Sequence, residues 1–170
     1  NNFADLFDGD SNARFSYDID GLIVKKGRLN YVNEASNTRI QVSNLSIKTG
    51  RIVQDKALDF AADFLLEAQA AKLKTKVNFQ TRLLYQSKAR VFLAENLRLS
   101  TQGELAMAKL NATLHANKIS ASKGVMIAPA VQANVALNSP PHDLKMRWQL
   151  KGLQANALEL NIAKTNADIT

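Results

Sequence analysis

The chain has 170 residues, of which 46% are hydrophobic and 6% aromatic, and its formal net charge is +7. That length can bury one core or form one segment of a longer elongated sheet, and only three Pro and seven Gly exclude a collagen-like or disordered composition. The absence of Cys excludes disulfides, thiolate metal sites and a Cys nucleophile together, while the positive charge suits either acidic partners (phospholipid headgroups, lipopolysaccharide, nucleic acid) or solubility alone. No run approaches the roughly 18 apolar residues needed to cross a bilayer. The first residue is Asn, and the last apolar-alternating run reaches Ile169-Thr170, so the expectation is a piece of a larger protein.

Residues 1–14, NNFADLFDGDSNAR, form a polar N-terminal segment, and residues 15–170 read as a single β-rich segment. Asp8-Gly9-Asp10 has the look of a calcium loop, but the twelfth residue counted from Asp8 is Ile19, where such a loop needs a Glu. From Ile19 to Gly50 apolar residues alternate with polar ones at Leu22 and Val24, at Leu29 and Tyr31, and at Ile40, Val42, Leu45 and Ile47. This predicts three antiparallel strands with one covered face, a tight reversal at Lys26-Gly27 and a polar loop from Asn33 to Thr38.

Residues 56–71 satisfy two patterns. Leu58, Ala61, Ala62, Leu65, Leu66 and Ala68 would line one side of a helix, yet Leu58, Phe60, Ala62, Phe64, Leu66, Ala68 and Ala70 also alternate without a break. The strand is favoured by its neighbour. From Lys72 to Leu83, Leu73, Thr75, Val77, Phe79, Thr81 and Leu83 oppose Lys72, Lys74, Lys76, Asn78, Gln80 and Arg82, and helical winding would scatter both sets.

The same rhythm continues to the end. Asn96-Leu97-Arg98-Leu99 echoes Asn44-Leu45-Ser46-Ile47. Further apolar sets are Ala106, Ala108, Leu110, Ala112 and Leu114, then Val125, Ile127, Val131, Val135 and Leu137, with Pro129 expected on an edge or at a bulge. After the break at Ser139-Pro140-Pro141, Leu144, Met146, Trp148 and Leu150 oppose Lys145, Arg147, Gln149 and Lys151, and a last run holds Leu158, Leu160 and Ile162. Roughly ten strands with no βαβ crossover make the expected fold mainly β, a long antiparallel meander forming a curved, groove-like or folded-over sheet.

Little in the sequence points to catalysis. His115 and His142 lie in different segments, and no HExxH, Walker A, GxSxG or GxGxxG pattern occurs. Asp59 and Asp63 fit a solvated strand face better than an acid–base pair. No enzyme activity, metal or cofactor is expected. Single-strand nucleic-acid binders interleave aromatics with cations, whereas Phe60, Phe64, Phe79 and Trp148 fall on the apolar face and leave the row Lys72, Lys74, Lys76 and Arg82 without stacking partners. Nucleic acid is therefore not an expected partner. That row reads as a solvated face or a contact to acidic headgroups.

Long strands with one aliphatic face either fold into a dry core or leave an open groove for acyl chains, and the plain core is the commoner outcome. Each methylene kept from water is worth about 0.8 kcal/mol, so a bare acyl chain would lose on the order of 10 kcal/mol crossing an aqueous space.

The stretch from Ile19 to Gly50 resembles the AsmA family of Gram-negative envelope proteins, in which "xGLxIxxGxLxYxD" precedes "xIxLxNLxLxxG". The matching residues are Gly21, Leu22, Val24, Gly27, Leu29, Tyr31, Ile40, Val42, Asn44, Leu45, Ile47 and Gly50, while Asn33 stands where the family often has Asp. The resemblance implies a periplasmic domain whose parent protein is anchored in the inner membrane by a helix outside this chain. It also implies phospholipid or another envelope lipid as cargo, a place in outer-membrane assembly and, as partners, outer-membrane assembly proteins. A structural or interaction scaffold without direct lipid binding is the alternative. The family motif implies structural roles, with Gly21, Gly27 and Gly50 shaping turns and Asn44 preceding a strand. The residues expected to line a lipid groove are Leu73, Val77, Phe79, Leu83, Leu110, Leu114, Val131, Val135, Met146 and Trp148.

Overall fold

The computed structural model describes residues 17–34 and 38–170. The polar segment 1–14, with Asp8-Gly9-Asp10, and the middle of the Asn33–Thr38 loop lie outside the described residues. The strands are β1 (Asp18–Ile19), β2 (Ile23–Asn33), β3 (Thr38–Thr49), β4 (Ile52–Val53), β5 (Leu58–Ala68) and β6 (Leu73–Gln86). They continue with β7 (Val91–Leu105), β8 (Ala108–Ser122), β9 (Val125–Ser139), β10 (His142–Ala155) and β11 (Leu160–Ile169). Nine of them form one sheet in the order β11-β10-β9-β8-β7-β6-β5-β3-β2, antiparallel at every step, and β1 pairs only with β4. This is the expected meander, curved and not closed into a barrel.

Residues 58–68 are strand, not helix. Along β5, the apolar residues Leu58, Phe60, Ala62, Phe64, Leu66 and Ala68 stand opposite Leu83, Thr81, Phe79, Val77, Thr75 and Leu73 of β6, so period two gives each a cross-strand neighbour. Phe60 and Phe79 meet edge to face, with ring centroids 5.9 Å apart. Helical winding would have turned half of these side chains away from β6.

Three local expectations are corrected. The Lys26-Gly27 step does not reverse the chain, because β2 runs straight through it with Lys26 at φ 56° and the register slipping around Gly27. A left-handed residue beside a glycine serves a bulge as well as a turn, and a Cβ at position 27 would stand 3.2 Å from the Cβ of Leu45. Asn44 lies inside β3 and not before it. Val125 and Ile127 share a face with Ser122 and Ser120, opposite to Val131 and Val135, because the alternation of β9 breaks around Pro129. Pro129 is at an irregularity of an interior strand, facing the left-handed Gly152 (φ 64°) of β10.

These irregularities share a geometry. Residues three apart reach the same face at Ala94 and Leu97, Ala116 and Ile119, Ala128 and Val131, and Leu150 and Leu153, on four successive strands. Each bulge thereby adds an apolar residue where strict alternation would place a polar one, and increases local twist. The best-packed cluster forms there: Ala116, Ala128 and Val131 are buried, with Leu97, Leu114, Ile119, Leu150 and Leu153 packed around them.

Candidate functional site

The register sorts the main sheet into two faces. One row, Val24, Ile47, Ala62, Phe79, Leu99, Leu114, Ala133, Trp148 and Ala167, crosses all nine strands and contains no polar side chain. A parallel row runs through Phe64, Val77, Thr101, Ala112, Val135, Met146 and Ile169. A third runs through Leu66, Thr75, Gly103, Leu110, Leu137 and Leu144.

The structure brings the ten expected groove residues onto this one face. Val77, Val135 and Met146 share one row, Phe79, Leu114 and Trp148 another, and Leu110 lies in the third. Leu73 faces Ala68 and Leu105 at one end of the face, Leu83 faces Leu58 and Ala94 toward the other, and Val131 sits between Ala116 and Leu150.

Strand contacts of any extent join sheet neighbours only, so among the described residues no second layer covers either face. The sheet is not folded over itself into a dry core. All the buried residues nevertheless lie on the apolar face: Ala62, Val77, Ala94, Ala116, Ala128 and Val131, with Thr75 and Thr81. Side chains lose water without a covering layer when their neighbours crowd over them, as happens where a sheet bends toward them. The alanines are the floor that sequence reasoning missed. They alternate correctly, but nothing in a lone Ala distinguishes a groove floor from a small surface residue.

The hydroxyls of Thr75, Thr81 and Thr101 find partners within the apolar surface. The Thr75 and Thr101 hydroxyls bond each other across β6 and β7. The Thr81 hydroxyl donates to the Glu95 carbonyl over 3.0 Å, beside the β7 bulge, where the ladder is interrupted. No buried side-chain nitrogen or oxygen among the described residues lacks a partner.

The opposite face is polar and compensates part of its charge. Glu67, Lys74, Glu104 and Lys109 stand in one row of alternating sign across β5 to β8, and Asp59, Arg82, Glu95 and Lys118 in another. Lys74 Nζ lies 2.8 Å from Glu67 Oε1. The Lys74 ammonium is held above its usual pKa, first by its hydrogen bond to Glu67, then by the charge of Glu67, with Glu104 adding. The expected basic row of Lys72, Lys74, Lys76 and Arg82 is therefore no uniform cationic stripe, since its Lys74 and Arg82 face carboxylates on both sides. Polar bonds link further strands: Arg147 Nε donates to Asn134 Oδ1 at 3.2 Å, and Asn134 Nδ2 to Thr113 Oγ1 at 3.2 Å. Shallow hollows of about 500, 750 and 590 Å³ open on this face between its polar rows, the first lined in part by Ser100, Thr113, Asn134 and Arg147.

The remaining chemistry-bearing residues do not converge. His115 sits in the polar row between Arg98 and Gln132, and His142 opens β10 opposite Ser139. Asp59 faces Arg82 and Asp63 faces Asn78. Among the described residues no group of His, Asp and Glu is arranged to hold a metal ion, and no helix is long and apolar enough to cross a membrane. Compared with known proteins, the chain matches no family model, no curated protein sequence and no solved structure.

Proposed function

We propose that this chain is a non-enzymatic periplasmic segment of an AsmA-like envelope protein, which carries phospholipid between the inner and outer membranes in support of outer-membrane assembly. The observation that carries the proposal is the apolar row from Val24 to Ala167, which crosses all nine strands of a sheet over which no second layer lies among the described residues. An acyl chain laid along these rows would exchange water for aliphatic side chains at about 0.8 kcal/mol per methylene. The polar face, rich in charged side chains, would stay in water. A carrier needs a continuous surface and not a tight pocket, because cargo must move on.

The alternative is an envelope scaffold without direct lipid binding. It is favoured by β11, an edge strand whose ten residues are all exposed and whose outer side is open to an added strand.

The test is native mass spectrometry of the protein expressed in a Gram-negative host, followed by solvent extraction and lipid analysis. Bound phospholipid, lost in the Val77→Asp/Phe79→Asp variant, is expected. Because Val77 is buried, the fold of the variant is checked by circular dichroism. Trp148, the sole tryptophan and a member of the nine-strand row, adds a readout that needs no mutation: brominated phospholipid should quench its fluorescence. A folded wild-type protein that carries no lipid and takes up none when offered it overturns direct carriage and leaves the scaffold.

A further inference from the structure

The two ends of the sheet differ. At the end formed by the turns at 87–90, 123–124 and 156–159, the last row of the apolar face is Tyr85, Phe92, Ala121, Met126, Ala155 and Leu160, crossing β6 to β11. Unlike the buried centre of the face, this row is open to water: Tyr85 is 49% exposed, Phe92 40%, Met126 39% and Leu160 63%, and Leu158 in the adjoining turn 93%. Directly beyond it the turns carry Lys88, Arg90 and Lys123, all exposed, against one carboxylate, Glu159. Asp55 also reaches this end, but its carboxylate is taken by Ser87, whose amide N and Oγ lie 2.6 and 2.9 Å from its oxygens. At the opposite end the described turns at 69–72, 106–107 and 140–141 hold a single cation, Lys72.

Aromatic and long aliphatic side chains ending an apolar surface, with cations on the short turns beside them, offer an apolar interface and anionic headgroups their two counterparts when the sheet end leans its apolar face against a bilayer. We propose that this end is a lip that seats on an anionic phospholipid bilayer. Tyr85, Phe92, Met126 and Leu160 enter the interface, and Lys88, Arg90 and Lys123 meet lipid phosphates. Charge complementarity selects the occupant: a neutral apolar partner would gain nothing from three cations, and a purely electrostatic one nothing from the exposed row. The apolar face then opens directly onto the membrane, so the lip deepens the carrier function proposed above and rests on it for its purpose, although not for its chemistry.

Flotation of the purified chain with vesicles of phosphatidylcholine alone, and with phosphatidylglycerol added, tests this. Binding should favour the anionic vesicles and weaken with salt. Each cation near an anionic surface strengthens binding roughly five-fold, so Lys88→Glu/Arg90→Glu/Lys123→Glu should weaken it on the order of a hundred-fold. Tyr85→Ser/Phe92→Ser should weaken binding to both compositions. All five positions are exposed, and retained circular dichroism verifies folding. The Val77→Asp/Phe79→Asp variant separates this proposal from the carrier function, since it should lose bound lipid and keep vesicle binding. A wild-type chain that ignores anionic vesicles, or charge and aromatic variants that float like wild type, overturns the lip even where lipid still co-purifies. Salt-sensitive binding to single-stranded nucleic acid without vesicle binding overturns it as well.

Discussion

Asn44 and Asn96 hold the same conformation at the same point of two bulges. Their φ angles are 53° and 52°. Each is followed by a leucine, and each Asn-Leu pair is flanked by residues of the polar face, Ser43 and Ser46 in β3, Glu95 and Arg98 in β7. The repeated Asn-Leu-x-aliphatic motif is thus a device for inserting one residue into a ladder. Asn suits it because its short side chain tolerates the left-handed region that costs other L-residues about 1–2 kcal/mol. Asn96→Ala should lower stability by about 1 kcal/mol in urea unfolding, whereas Asn96→Gly should stay within a few tenths. Equal losses for the two would show that side-chain bonding, and not backbone conformation, selects Asn.

The β7–β8 hairpin turns on Ala106 and Met107, both left-handed, with φ 48° and 75°. A two-residue turn of this kind favours Asn-Gly, and the Met107 side chain, 90% exposed, gains no packing in return. Ala106→Asn/Met107→Gly should therefore raise stability by about 1–2 kcal/mol, visible as a higher Tm. An unchanged or lower Tm would mean that the turn is held by something other than its own backbone.

The Asp55 carboxyl is held below its ordinary value, first by the Ser87 backbone amide, then by the Ser87 hydroxyl, with the charge of Lys88 adding and a small burial opposing. A carboxyl depressed on folding stabilises the native state above its unfolded pKa, and loses that contribution as pH falls through the folded one. Wild type should therefore lose stability on acidification below the ordinary Asp value near 3.8. Asp55→Asn, compared with wild type by urea midpoint across that window, should lose less. A variant whose pH profile overlays wild type would exclude the Asp55–Ser87 contact as a source of acid sensitivity.

Strand identity was legible in the sequence wherever alternation ran unbroken, because a period of two is a property of the chain alone. Leu73 to Leu83 could be only a strand, and the ten expected groove residues fell on one face because each, Val131 and Val135 past the break at Pro129 included, lies in a stretch that alternates. The legibility failed at single residues. Lys26-Gly27 carries the marks of a turn and is a bulge, while Ala106-Met107 carries none and is a turn. The difference is whether a partner strand continues past the residue, which local sequence does not contain. Ile127 was misassigned for the same reason, since the break at Pro129 moves it across the sheet.

The sequence by itself determined a long antiparallel meander with one aliphatic and one polar face, because side chains alternate along a strand wherever it is placed. Only the tertiary structure decided that no described element covers the aliphatic face, which depends on the curvature of nine strands and on whether a second layer folds back. It also decided that Lys74 and Arg82 of β6 face carboxylates of β5 and β7, because registry between strands, and not order along one, sets which charges meet.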